Sequence, residues 1–574
     1  MNKFILSALL SLSIFFSTQV RADDDIGVSE GVDFEAEFYK EIAKEAVGDS
    51  SASNGMLKEI PTGVAKRSVS AACDPHRFEE SILNKKRTTA EFYTVAKSYF
   101  KKCSSELSQG TIKGILGLVK FSMYQYQFFR HPQIKPMTVT LADGTKIPAI
   151  LALKLDPRPR PLVILRCGVF CSAGQSATTK AYMMHLFDQS PFNVMILANQ
   201  TGLDYLEANR RVSLGGWAEG YENLEVGEWM RNKWEGRHRI SSMHLMGISL
   251  GGNAAVFGAS FNDKYLRPDG QKIFKSVTAI CPVISLRPTL DKLYSGAIIG
   301  RIFGGVTKSQ FLDAKPFNLD VSDMISESVI PNKSGMADYI GSLASTSLQR
   351  RGIASTTESF YRSNNFFNLK EVVTTPLMVF ASKDDSIVNN ETNAQTFMDW
   401  HVYEKSKTAG VVNLSYGNHC GFASVYGFNA TAAVLRDFVL LHSPEFMEVY
   451  KPVSVKWTPK FMMMPWANKH MSQTWKFASG SSNVNVTFKV FDGQTSQCED
   501  KDPNMADLMC IREKTYTLSI DSLKALGARV PRNGVEAEAL TREFNSKVEF
   551  RSSSGPINGT RADSFSMVAR EGFE

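Results

Sequence analysis

Three positions carry residue types that together can activate a hydroxyl group. Ser249 lies in "MHLMGISLGGNAAVFGAS", where a short run of core-type residues (Met243, Leu245, Met246, Ile248) gives way to the small residues that open a helix. Gly247, Ser249 and Gly251 fit Gly-x-Ser-x-Gly, the pattern of a sharp strand-to-helix turn. Glycine on either side of the serine removes a clash with neighbouring backbone, and the hydroxyl is left exposed above a sheet. A serine hydroxyl is a poor nucleophile near neutral pH, so it needs a base in hydrogen-bond reach and a carboxylate to orient that base. The run "PLMVFASKDDSIV" offers Asp385 just beyond a strand end, with Asp384 as the alternative acid; solvated loop acids would look the same. His419 follows in "AGVVNLSYGNHCGF", in a glycine-flanked loop after another strand. Of the nine histidines it is the one with this placement; His131, His238 and His244 suit surface or packing roles better. The chain order serine, acid, histidine is the order of one type of hydrolase. A negative oxygen forming at the serine would need two backbone amides. Leu250, directly after the serine, and Val169, in the turn after "PLVILRCGVF", are the expected donors. No His/Cys/Asp/Glu spacing suggests a metal site, and the chemistry needs no cofactor.

Elements that would position these residues are legible around them. "PLVILRCG", "FNVMILANQ", "SSMHLMGIS", "FKSVTAICPVI" and "TPLMVFASKDD" are short apolar runs separated by helical segments. Strands apolar on both faces and alternating with helices indicate a parallel sheet covered on both sides. The expected fold class is therefore α/β, a doubly wound, mostly parallel sheet. Ahead of it, "MTVTLADGTKIPAILAL" reads as a hairpin about Asp143-Gly144. The rhythm breaks between Arg287 and Lys370, a stretch long for a simple crossover and the place for an inserted cap. We divide the chain into residues 23–135, a flexible and helical arm; 136–450, the α/β domain with its cap at about 287–370; and 451–574, a small antiparallel β domain suggested by polar and apolar alternation.

Composition is ordinary for a well-cored protein, with 43% apolar and 21% charged residues. Residues 1–22 have the layout of a secretory signal peptide: Lys3, the apolar run "FILSALLSLSIFF", then small residues before Asp23. The run is shorter than the roughly 20 residues that span a bilayer, so no transmembrane segment is expected after cleavage, and the address would be periplasmic or extracellular. The formal charge of +7 drops to +5 once Lys3 and Arg21 leave, too little on this length to argue for nucleic acid. In an oxidising compartment the eight cysteines would favour disulfides, with Cys73–Cys103 and Cys498–Cys510 as the simplest local pairs.

At "GISLGGNAA" and "GNHCGF" the chain resembles the α/β-hydrolase superfamily, and within it the YheT-like group of esterases. The resemblance covers about Pro136 to Leu441. It implies Ser249 as nucleophile, Asp385 as acid, His419 as base, Leu250 and Val169 as oxyanion donors, and ester hydrolysis without a cofactor. Where such enzymes usually have His-Gly after the first parallel strand, this chain has Cys167-Gly168, with Cys171 close behind. A Cys167–Cys171 link would stiffen that turn; buried thiols are the alternative. Cys420, beside the expected base, would pack or pair with Cys281. The substrate implied is a small-molecule or lipid carboxyl ester, and the apolar segment "SGAIIGRIFGGV" would suit an acyl pocket or a core equally. A peptidase or amidase on the same scaffold is one rival. A non-catalytic protein whose last domain binds an envelope or surface ligand is the other; Trp457, Trp466 and Trp475 would then be exposed binding aromatics, and their alternative and better-suited place is the core.

Overall fold

The computed structural model describes residues 87–107, 134–154, 159–174, 190–265, 270–296, 299–317, 320–369, 373–403, 406–426, 428–449, 452–457, 471–492, 510–552 and 565–570. Single positions between 70 and 82 and between 179 and 187 are described as well. The proposed signal segment, Cys498 and Trp466 lie outside them.

Helix α1 (Thr89–Leu107) starts at a capping box: Glu91 N donates to Thr88 Oγ1, and Thr88 N donates to the Glu91 carboxylate. Its buried stripe of Phe92, Tyr93, Ala96, Tyr99, Phe100 and Cys103 follows the helical period. The main sheet follows: β1 (Ile134–Thr140), β2 (Lys146–Ala152), β3 (Arg160–Arg166) and β4 (Asn193–Leu197). After α2 (Leu203–Asn209) and α3 (Gly216–Asn232) come β5 (Ile240–Ile248), α4 (Leu250–Lys264) and β6 (Ser276–Ile280). Among the described residues four α-helices stand between β6 and β7, in the stretch expected to form a cap: α5 (Leu286–Ser295), α6 (Ile299–Ala314), α7 (Met336–Arg350) and α8 (Thr357–Ser363). The core closes with β7 (Leu377–Ser382), α9 (Thr396–Tyr403), β8 (Ala409–Leu414), α10 (Phe422–Tyr426), α11 (Phe428–Leu441) and α12 (Pro444–Val449).

The eight strands form one sheet in the order β1-β2-β4-β3-β5-β6-β7-β8. Strand β2 is antiparallel to both its neighbours, and β3 to β8 are mutually parallel. Every residue of β3, β4, β6 and β7 is buried, which is why these strands read as unbroken apolar runs. This order and mostly parallel sense, with helices on both faces, is the α/β-hydrolase fold expected above. The chain steps from β3 outward to β4 and returns to the other side of β3 as β5, so strand order reverses there. Ligand crevices in open α/β sheets lie at such switch points, beyond the carboxyl ends of the strands. The register puts Arg166 opposite Gly247, bringing the turn after β3 level with Ser249.

The arm helix is docked on this core rather than free of it. Tyr93 stacks its ring over the position where Gly410 lacks a Cβ and donates its hydroxyl to the carbonyls of Leu377 and Thr408. Phe92 meets Phe438, and Phe100 meets Phe380 and Tyr426. A Cys73–Cys103 disulfide staples the segment before α1 to it.

Beyond residue 451 the described strands form two small antiparallel sheets. One is β10 (Met471–Phe477), β11 (Asn483–Asp492) and β12 (Cys510–Ser519); the other joins β13 (Val548–Ser552), β14 (Phe565–Arg570) and β9 (Pro452–Trp457). The antiparallel strands expected of this region are present, together with a helix that was not expected, α13 (Gly534–Lys547), which packs against β10. Asn533 caps it by accepting from Glu536 N. Trp475 is fully buried against Phe544 in a core of its own, so it is not an exposed binding aromatic. Among the described residues no helix is long and apolar enough to cross a membrane.

Candidate functional site

Ser249 sits between β5 and α4 with φ 56° and ψ −116°, a backbone conformation that non-glycine residues rarely adopt. Close packing on three sides explains the glycines around it. A Cβ on Gly247 would lie 1.9 Å from the Gly251 carbonyl oxygen, and one on Gly251 would lie 2.3 Å from that of Cys167. Gly168 faces Ser249 itself: a Cβ there would be 3.3 Å from Ser249 Cβ. The serine backbone is also held from β6, since Ser249 N donates to Ile280 O at 2.9 Å and Val283 N donates to Ser249 O at 3.2 Å.

The structure brings Ser249, His419 and Asp385 together. His419 Nε2 is 2.9 Å from Ser249 Oγ, and His419 Nδ1 is 3.0 Å from Asp385 Oδ2. The Asp385 side chain is 4% exposed and the His419 imidazole 15%, so the imidazole is the more accessible of the two. The other Asp385 oxygen, Oδ1, accepts from Ile387 N and Val388 N, which fixes the carboxylate from behind. Asp384 faces elsewhere and accepts from Asn418 N at 2.8 Å. Asn418 is a residue the sequence reading did not single out. Its Oδ1 accepts from Ser386 N and Oγ, and its carbonyl accepts from Ser382 Oγ. The turn that presents His419 is thus bound to the loop that presents Asp385 on both sides of the acid.

Of the two expected amide donors, Leu250 opens α4, and amides in a helix's first turn have no intrahelical acceptor. Val169 lies in the turn after β3. Its neighbours are already used: Phe170 N donates to Thr201 Oγ1 at 2.6 Å and Cys171 N to Gly168 O at 3.2 Å. A Cys167–Cys171 disulfide closes the same turn. Beneath it Asn199 donates through Nδ2 to Cys167 O and through its amide to Cys171 O, while accepting from Thr201 Oγ1.

This scaffold rests on a buried charged network that the reading of the sequence did not anticipate. Arg166 is fully buried and donates to Asn223 Oδ1, Ala198 O and Glu222 Oε2. Glu219 accepts from Gln200 N and Asn199 Nδ2. Burial pushes the Glu219 carboxyl up to about 8, and Arg166, 3.9 Å away, offsets this only in part because its shorter contacts go elsewhere. Asp204, also buried, accepts from Ala173 N just past the turn, and desolvation raises its carboxyl to about 6. The signal for this network, in retrospect, is the polar run Asn199-Gln200-Thr201 immediately after an apolar strand.

Apolar side chains from the cap cluster with Leu250, the residue after the serine. Leu250, Val283, Leu286, Ala344, Phe360 and Val388 belong to one buried cluster, and Val169, Leu214, Leu290 and Ile387 pack on it while remaining partly exposed. His244 proves fully buried, midway along β5, held by Ser242, Ser276 and Ser443. Among the described residues, Cys281, His419 and Cys420 are the one metal-capable cluster, with ligand atoms within 4.8 Å of one another, but the two sulfurs are joined in a disulfide.

No protein-family model matches the chain, and no curated protein does either. Among solved structures it is similar to the Pyrobaculum calidifontis esterase, at 14% identity and a TM-score of 0.36 over 61% of this chain and 93% of that one. It is similar to a Pyrococcus furiosus esterase at 13% identity and a TM-score of 0.34, covering 55% and 94% of the two chains. It is also similar to Porphyromonas gingivalis dipeptidyl peptidase 4 at 12% identity and a TM-score of 0.31, covering 54% and 35%. The α/β-hydrolase fold is assigned here on strand order and direction.

Proposed function

We propose that the protein is an exported serine hydrolase that cleaves carboxyl esters, lipid acyl esters among them, through an acyl-enzyme. The observation that carries this reading is His419, placed at hydrogen-bond distance from Ser249 Oγ on one ring nitrogen and from the buried Asp385 carboxylate on the other. His419 takes the Ser249 proton as Oγ attacks the substrate carbonyl. The Leu250 and Val169 amides receive the oxygen that becomes negative. His419 then protonates the departing alcohol, and a water activated by the same imidazole releases the acid. Asp385 holds the imidazole in the tautomer whose Nε2 is free to accept, and it stabilises the imidazolium that forms.

Our preferred substrate is an ester with an apolar acyl group: the partly exposed Val169, Leu214, Leu290 and Ile387 pack on the apolar cluster that includes Leu250, the residue after the serine. Three disulfides among the described residues support an oxidising destination. Residues 451–574 would serve to hold the enzyme at an envelope or surface ligand. Deleting them should leave ester turnover intact and change where the protein is found.

The first experiment is labelling of the mature protein with a fluorophosphonate, beside Ser249→Ala, followed by acyl esters of increasing chain length and matched peptide amides. Labelling confined to the serine form, with turnover of esters only, is the expected result. A folded wild type that takes no label would remove the hydrolase reading, and faster turnover of the amides would replace the esterase with a peptidase.

A further inference from the structure

Non-glycine residues in left-handed backbone crowd around the base: Asn418 (φ 45°), Cys420 (φ 57°) and, across the site, Cys281 (φ 43°). Such conformations persist only where the surroundings over-determine them. For Asn418 the surroundings are its hydrogen bonds to Ser382, Asp384 and Ser386. For Cys281 and Cys420 they include the disulfide that joins the two, with Cα atoms 5.4 Å apart.

The placement of that disulfide is specific. Cys281 lies in the segment that holds the nucleophile, between Ile280, which accepts from Ser249 N, and Val283, which donates to Ser249 O. Cys420 directly follows His419. The covalent link therefore spans the same gap as the His419–Ser249 hydrogen bond, from the support of the serine to the turn carrying the base, and both sulfurs lie within 4.8 Å of a His419 ring nitrogen. The anchors on Asn418 all come from the acid loop, so they fix the base against Asp385. The disulfide comes from the serine side.

We propose that Cys281 and Cys420 are positioning residues, and that their disulfide sets the reach of His419 to Ser249, so that the hydrolase turns over at its full rate only with this bond intact. The inference rests on the reading of Ser249, His419 and Asp385 as the reacting triad. Displacing a reacting group by about 1 Å costs on the order of 10²-fold in rate, and an imidazole turn released from the serine side is left to the anchors on the acid loop. A dithiol reductant supplies two electrons and two protons. The Cys281–Cys420 sulfur–sulfur bond breaks, each sulfur leaves as a thiol, and the reductant becomes a cyclic disulfide.

The test compares the full chain with its Cys281→Ala/Cys420→Ala variant on a short acyl ester. The expected result is a fall in kcat of about 10- to 100-fold with KM within about twofold, matched by the same fall in the rate of fluorophosphonate labelling. The low-field proton resonance of the His419–Asp385 hydrogen bond should persist, because the acid-side anchors are untouched. A second arm uses Cys167→Ala/Cys171→Ala protein, in which the other disulfide near the serine is gone. Dithiothreitol should lower its rate by a similar factor and reoxidation should restore it, with the circular dichroism unchanged. A Cys281→Ala/Cys420→Ala variant that keeps wild-type kcat and labelling rate, or that changes KM alone, overturns the proposal. If that variant does not fold, unchanged turnover in the second arm with Cys281 and Cys420 titrating as free thiols overturns it instead. A folded wild type that takes no label overturns the triad reading and this inference with it; a labelled wild type with an unaffected variant overturns only the inference.

Discussion

Asp385→Asn is the substitution whose consequence the hydrogen bonds determine most fully. Oδ1 accepts from Ile387 N at 2.9 Å and Val388 N at 2.8 Å, while Oδ2 faces His419 Nδ1 at 3.0 Å. An asparagine has one oxygen to place. Turning its amino group toward Ile387 and Val388 would leave buried N–H donors without acceptors, at about 1–3 kcal/mol each. The oxygen therefore stays on the two amides, and the amino group points at His419 Nδ1, which must give up its proton to accept. The imidazole proton moves to Nε2, which then donates toward Ser249 Oγ and cannot take the serine proton. A tautomer inversion of this kind costs about 10⁴-fold in kcat in Ser-His-Asp enzymes, or about 5.4 kcal/mol at roughly 1.36 kcal/mol per factor of ten. All three hydrogen bonds survive in number, so folding stability should change by less than about 1 kcal/mol. The assay is steady-state ester hydrolysis of wild type, Asp385→Asn and Asp384→Asn, with denaturant unfolding of each. Asparagine at 384 can still accept from Asn418 N with its own oxygen, so a loss under about tenfold is expected there. A loss under tenfold in Asp385→Asn, or a larger loss in Asp384→Asn, would refute the argument.

Gly168→Ala places a methyl 3.3 Å from Ser249 Cβ and 3.8 Å from its Oγ, so kcat should fall about 10²-fold through displaced amide donors; an unchanged kcat would move the oxyanion site away from this turn. For Asp204, desolvation raises the folded pKa to about 6 from the ordinary 3.8, so the folded chain binds this proton more tightly than the unfolded chain. Its contribution to stability therefore falls as pH rises from about 4 to 6, by about 3 kcal/mol in all. Unfolding of Asp204→Asn against wild type should show the variant gaining by that amount across the window, and a constant difference would reject the assignment. His442 works in the opposite sense: burial lowers its pKa to about 4, so its contribution is lost as pH falls from about 6.5 toward 4. Tyr93→Phe removes the hydroxyl that reaches the Leu377 and Thr408 carbonyls, and should cost about 1–3 kcal/mol of stability while leaving kcat within twofold; an equal loss of turnover would mean that the arm helix serves the site.

What was legible in advance follows from where the physical constraint acts. Strands buried on both faces leave continuous apolar runs, so the sheet from β3 to β8 could be located from composition alone. The turn at Ser249 admits no Cβ at Gly247 or Gly251, and that requirement is written into residue type within five positions. A backbone donor, the role proposed for Val169, leaves no comparable trace, because almost any residue supplies an amide. The supports were invisible for another reason: Thr201 reaches Phe170 across 31 positions, and Glu219 reaches Asn199 across 20. Helix α13 was missed although Asn533 and Glu536 mark its start, because the alternation on either side of it was read through the whole region. Asp384 and Asp385 make the distinction sharpest. They are adjacent and identical in type, and nothing local separates an acid that orients a base from one that anchors a turn. The difference exists only once Asn418 and His419, 34 residues along the chain from Asp384 and Asp385 respectively, are folded against them and each takes one carboxylate.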